Sequence, residues 1–281
     1  MLRARDAYLN ALSPADLSIW LHRTDESATV AMMADFLTAN VRPWDEPART
    51  RVSAMLARVT PRLAPLARWL PHRILIVAVT PEASDNSDFT RGAAIFLKQP
   101  MPPTDAELDE RFLHETFHIL SRANPRRRDA LYGVIGFVRC TPMALPVALR
   151  ARLLTNPDAP LIEHAAPISA ADPTLLATPL LVADPTRYDP AHPRFFEYLH
   201  VQITPLRRGR SGQCAPADGA TQTQPQMLDA LLAHAGRNTG YVLHPEEIMA
   251  DNFAQMMMGR TGAPNPEVYD RLAAVLGITR P

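Results

Sequence analysis

The sequence predicts an α+β protein, and three observations carry that prediction. Two short β-rich apolar runs lie between Arg73 and Gln99. A helix of about five turns follows them directly, with clear start and stop signals. Past Cys140 the chain changes to short apolar runs separated by Pro and Asp, the pattern of a β-rich segment.

The bulk numbers allow this and exclude several alternatives. The chain has 281 residues, enough for one large domain or two modest ones with a real core. Apolar residues are 47% and charged residues 21%, without a disorder signature. Acidic and basic residues balance at 29 each, so no net field draws the chain to nucleic acid or an anionic membrane. "MLRARDAYLN" is followed by no apolar export segment, and no run approaches a membrane span. The expectation is therefore a soluble, cytoplasmic protein. Cys140 and Cys214, the only cysteines, match no metal-binding spacing. Two buried free thiols are expected in preference to a single bridge.

In order, residues 1–72 read as short helices broken by Pro and polar residues. "SPADLSIWL" has Ser13 as N-cap and Pro14 at the first helical position, and "DEPARTRVSAMLARV" runs from acidic to basic. Residues 73–140 hold the strand "RILIVAV", a second strand "GAAIFLKQ" and the helix "TDAELDERFLHETFHILSRANP". Thr104 and Glu107 are spaced there as a capping box. Residues 141–240 form a β-rich insertion with strands at "PLIEHAAPI", "LLATPLLVAD" and "FFEYLHVQITPL", followed by an aperiodic polar loop. Residues 241–281 are helical, with Pro245 and Gly259 punctuating "HPEEIMADNFAQMMMGRTG".

The chemistry concentrates in "FLHETFHIL". His114 and His118 are four residues apart, so they leave the same helix face about 6 Å apart along the axis. Two imidazoles so placed can reach one ion at ~2.0–2.1 Å. Glu115 lies about 100° around the helix, poorly placed to share the ion but able to reach a water on it. A catalytic zinc needs a third protein ligand and an open position. A third His six residues on is not available, because Asn124 stands there. "HPEEIMADNF" offers Glu247, with Asp251 one turn later on the same face to orient a histidine. Glu246 has Ala250 at that spacing and reads as a helix N-terminal charge.

His114-Glu115-x-x-His118 with Glu247-x-x-x-Asp251 resembles the gluzincin branch of zincin-like metallopeptidases. The resemblance implies a mixed sheet packed on the motif helix and one zinc held by His114, His118 and Glu247. It also implies Glu115 as general base and Asp251 behind His114. It implies further that "GAAIFLKQ", Gly92–Gln99, is an edge strand that pairs with an extended peptide substrate. Two departures stand out: 128 residues separate His118 from Glu247, and Pro245-Glu246 replaces the thermolysin-like Asn before the ligand Glu.

The expected reaction is peptide-bond hydrolysis by a zinc-activated water, with Glu115 taking its proton. Tyr241, just ahead of Glu247, is the candidate donor to the developing oxyanion, with His200, His234 and His244 behind it. The alternative is a zincin-shaped metal-binding scaffold or binding module without turnover. The presence of Glu115, which metal binding does not require, favours the enzyme.

Overall fold

The structure is a computed structural model that describes residues 2–218 and 222–280. It is an α+β fold with two sheets. The chain begins with α1 (Ala7–Ala11), α2 (Pro14–Trp20) and α3 (Val30–Ala39), followed by the short strand β1 (Val41–Arg42) and the long helix α4 (Glu46–Leu63). Next come β2 (Leu75–Val79), β3 (Phe89–Arg91), β4 (Ala94–Lys98) and α5 (Asp105–Ala123). Helix α6 (Arg128–Gly133) leads to β5 (Val138–Arg139), α7 (Val147–Arg150), β6 (His164–Pro167), β7 (Leu175–Ala183), β8 (Leu199–Arg208) and β9 (Cys214–Pro216). The chain closes with α8 (Gln224–Ala235), α9 (Pro245–Met257) and α10 (Glu267–Leu276).

Local chemistry sets the helix that matters most. Thr104 Oγ1 accepts from the Glu107 N–H at 3.2 Å while the Glu107 carboxylate accepts from the Thr104 N–H at 3.1 Å, a reciprocal cap at the start of α5. The helix stops at Asn124, one residue before Pro125. Leu108, Phe112, Leu113, Phe117 and Leu120 form its buried face. That face meets α9, where Phe117 and Phe253 bring their rings to 5.5 Å. Helix α9 is buried nearly all round, from Pro245 through Met257 with Asp251 as its only half-buried residue. A helix so enclosed is central to the core rather than laid on it.

Three expectations change here. The first sheet has the order β1-β2-β4-β3, with β2 and β4 parallel and the outer pairs antiparallel. The Gly92–Gln99 segment therefore holds an interior strand, β4, and the edges are β1 and β3. The reversal comes from Gly92, whose φ of 58° is open to glycine at little cost and turns β3 back on β4. The polar run before Gly92 hides β3 from a hydrophobic pattern. Secondly, the N-terminal part is not wholly helical, because β1 joins this sheet.

Thirdly, Cys140 and Cys214 are joined in a disulfide, with Cα atoms 5.4 Å apart, instead of being free thiols. The second sheet, ordered β5-β6-β7-β8-β9, brings its two ends' cysteines together, which spacing along the chain could not reveal. The insertion also carries helix α8. Met227 and Leu231 of α8, with Ala166, Ala177 and Ile203 of the second sheet and Ile168 just past β6, belong to the same hydrophobic core as α5 and α9. Among the described residues no helix is long and apolar enough to cross a membrane.

Candidate metal centre

Helices α5 and α9 lie against each other, and their facing turns carry the titratable groups. His114 Nε2 is 3.1 Å from Glu247 Oε2, and His118 Nε2 is 3.7 Å from the same oxygen. Donor atoms placed tetrahedrally around one ion at 2.0–2.1 Å sit about 3.3 Å apart. The observed separations bracket that value. His114 Nδ1 faces Asp251 Oδ1 at 2.8 Å, and His118 Nδ1 faces Glu246 Oε1 at 3.1 Å. A carboxylate at each Nδ1 favours a proton there, so Nε2 is the nitrogen left to bind a metal when the imidazole is neutral.

Glu246 corrects the sequence reading. It stands in the first turn of α9, as that reading had it, but it is 2% exposed and bonded within the centre. Besides His118 it accepts from Ser121 Oγ at 2.7 Å and from the Tyr132 hydroxyl. The available signal was the apolar residues on later turns of α9, Ile248, Met249, Phe253, Met256 and Met257, which seat the helix in the core.

Two further residues come from the insertion and were missed. Asn156 Nδ2 donates to Glu247 Oε1 at 2.5 Å, and so fixes the carboxylate's second oxygen. Asp158 lies close enough to His118 and Glu247 that the three could hold one ion. His114, Glu115 and His118 make a second such group. The segment 154–158 is pinned from two sides. Asp16 of α2 accepts from the Thr155 N–H at 2.9 Å and from its hydroxyl at 2.7 Å. Asp158 Oδ1 accepts from the N–H and the hydroxyl of Thr90 in β3, both at 2.6 Å. The edge of the first sheet is thus covered at Thr90, where the sequence reading placed an extended substrate one strand further in.

Charge and burial explain the protonation of the centre. Burial pushes Glu115 up to about 8, helped by the negative Asp158 and opposed by the two histidines. Burial lowers His118, but the charges of Glu247 and Asp158 and the bond to Glu246 outweigh it, holding His118 at about 9. His114 is raised in the same way, by its bonds to Asp251 and Glu247 against burial. Glu247 is drawn down to about 2, because His118 and His114 outweigh the burial penalty. Protons on the imidazoles therefore balance Glu247, in the place where a cation would do so.

Tyr241 stands beside the centre, its ring centroid 6.4 Å from that of His114 and its side chain 41% exposed. Partial desolvation of its hydroxyl and the nearby charge of Glu247 hold it protonated, so toward a negative group it can only donate. Of the other histidines, His244 is the N-cap of α9, its Nδ1 accepting from the Glu246 N–H at 3.0 Å. His200 lies on β8 and His234 on α8, and neither lines the cavity at His114.

The residues fit a metal on one further ground. His118 Nε2 and Glu115 Oε2 are buried atoms with no hydrogen-bond partner among the described residues. Orphaned polar atoms of this kind are costly, and a bound ion with its water would satisfy both.

No family model matches the chain, and neither a curated protein nor a solved structure matches it.

Proposed function

We propose that the chain is a zinc-dependent peptidase of the zincin-like, gluzincin kind, with His114, His118 and Glu247 as metal ligands. The observation that carries this reading is the pair of orphaned atoms, His118 Nε2, 3.7 Å from Glu247 Oε2, and Glu115 Oε2, with Glu115 and Glu247 lining one cavity. Two neutral imidazoles and a carboxylate at tetrahedral spacing suit zinc better than a hard cation, which takes oxygen ligands. A zinc ion bound there supplies a Lewis acid that lowers the pKa of a water to ~7 and polarises a carbonyl.

The chain's own residues do the rest. Glu115, pushed up to about 8 in the metal-free state, is brought down by a cation and becomes a carboxylate at neutral pH. It accepts the proton of the attacking water and passes it to the departing amine. Asp251 and Glu246 hold the two imidazoles in register, and Asn156 holds Glu247. The protonated Tyr241 hydroxyl, in the same cavity as Glu115 and Glu247, is the donor offered to the oxyanion.

Asp158 supports a second reading. If it joins His118 and Glu247 on the ion, four protein ligands close the site. Closed sites are structural, and the protein would then be a metal-binding scaffold without turnover. Glu115→Gln separates the two. On the peptidase reading the variant keeps about one zinc per chain and its thermal stability, and loses nearly all hydrolysis of a peptide library. Undiminished turnover with unchanged metal would sink the mechanism, and no turnover in the zinc-loaded wild type would favour the scaffold.

A further inference from the structure

The cavity at the metal centre has a volume of about 650 Å³ and extends well beyond His114, Glu115 and Glu247. Its far wall is apolar and comes from outside the two metal-bearing helices. Trp20 of α2, Leu181 of β7, Leu199 of β8 and the adjacent Phe195 and Phe196 line it. Trp20 and Phe195 stack with ring centroids 4.1 Å apart and 16° between planes, and Phe196 meets Phe195 edge-on at 5.7 Å.

This wall is built in advance of any ligand. Ile19, Ala183 and Tyr198 pack behind it as a buried cluster. Asp85 accepts from the Phe196 N–H at 2.9 Å, and the Tyr198 hydroxyl donates to the His192 carbonyl at 2.8 Å. Phe196 nevertheless stays 40% exposed. The indole N–H of Trp20 is buried and has no partner among the described residues. An aromatic wall lining the same cavity as His114, Glu115 and Glu247 is the usual make-up of a ligand subsite.

We propose that this wall is a side-chain subsite for one aromatic or long aliphatic residue of a peptide, beside the bond presented to His114 and Glu115. The orientation of the bond rests on the peptidase reading, whereas the pocket does not. The subsite belongs to this chain's N-terminal helix and insertion, and so gives those regions a share in choosing the substrate.

The test uses the full-length, zinc-loaded Glu115→Gln protein, in which turnover cannot blur binding. Blocked alanine pentapeptides carrying Phe, Leu, Ala or Asp at the central position are titrated by calorimetry. The same peptides are offered to the wild type for cleavage. Phe and Leu should bind at least about 10-fold more tightly than Ala, and Asp more weakly than Ala. Phe196→Ala should cut the Phe-over-Ala ratio by about 10-fold without altering zinc content or affinity for the Ala peptide. Leu199→Ser checks the same wall from β8 and should lower the ratio too. A ratio near one, or one that neither wall variant moves, overturns the subsite. A clear ratio without cleavage keeps the subsite and sinks the peptidase; cleavage without a ratio does the reverse.

Discussion

The α5–α9 pair and the segment 154–158 meet at one cluster of side chains, but they are held there by different means. The helices are fixed by burial of long apolar faces, with Phe117 against Phe253 at their contact. Residues 154–158 have no regular structure of their own. They are held by hydrogen bonds to Asp16, 139 residues away from Thr155, and to Thr90, 68 residues away from Asp158. The comparison teaches that a site can take ligand geometry from helix periodicity and its supports from irregular backbone. The first is written locally; the second depends on the whole fold.

The largest effect would come from breaking the helix side. His118→Ala should drop zinc from about one per chain to background, while Asp158→Ala should leave the metal in place. Elemental analysis of both purified variants decides it. The opposite pattern would move the centre onto the insertion segment and favour the closed, non-catalytic site.

Next in size is Tyr241→Phe, which should keep its zinc and lower kcat by about 10²-fold, as for the loss of other oxyanion donors. Steady-state kinetics on any cleaved peptide would show it. A change confined to KM would make Tyr241 a binding wall instead. Asp251→Asn should weaken metal affinity by roughly 10–100-fold without abolishing it. A chelator titration with no shift would mean that His114 needs no support from α9.

The smallest effect belongs to the segment's own anchorage. Asp16→Asn leaves the Thr155 N–H or hydroxyl short of an acceptor, and should cost about 1–3 kcal/mol of stability. Its zinc content should stay at wild-type level, because no ligand moves on either helix. Chemical denaturation with metal analysis checks both, and a full loss of zinc would show that the two regions are not separable as described.

The same contrast explains what could be read from the sequence. The α+β class, the capped α5 helix and the punctuated α9 helix were legible because each is written in local periodicity and end signals. His114, His118, Glu247 and Asp251 were legible because they repeat at one helical turn on two helices, and the structure brings all four together. Asn156 and Asp158 sit in "LLTNPDAP", a stretch with turn residues and no period, so no pattern marked them. Glu246 reads only as a helix N-terminal charge because Ala250 gives it no companion one turn on; its bonds to His118, Ser121 and Tyr132 join separate elements, which no local spacing shows. The edge strand was misplaced because β3 has only three residues and buries polar ones, Thr90 and Arg91. The disulfide depended on which strands close the second sheet, a long-range fact.

That disulfide has a consequence for where the protein can keep its shape. Residues 154–158 lie inside the covalent ring closed by Cys140 and Cys214, which are 74 positions apart. In the chain-entropy view such a ring lowers the freedom of the unfolded chain by about 4–5 kcal/mol. In a reducing cytosol the ring opens, and the segment bearing Asn156 and Asp158 loses that tether; in an oxidising compartment it is kept. The count of free thiols in protein isolated from its native host, zero or two per chain, would thus tell which environment this fold is made for.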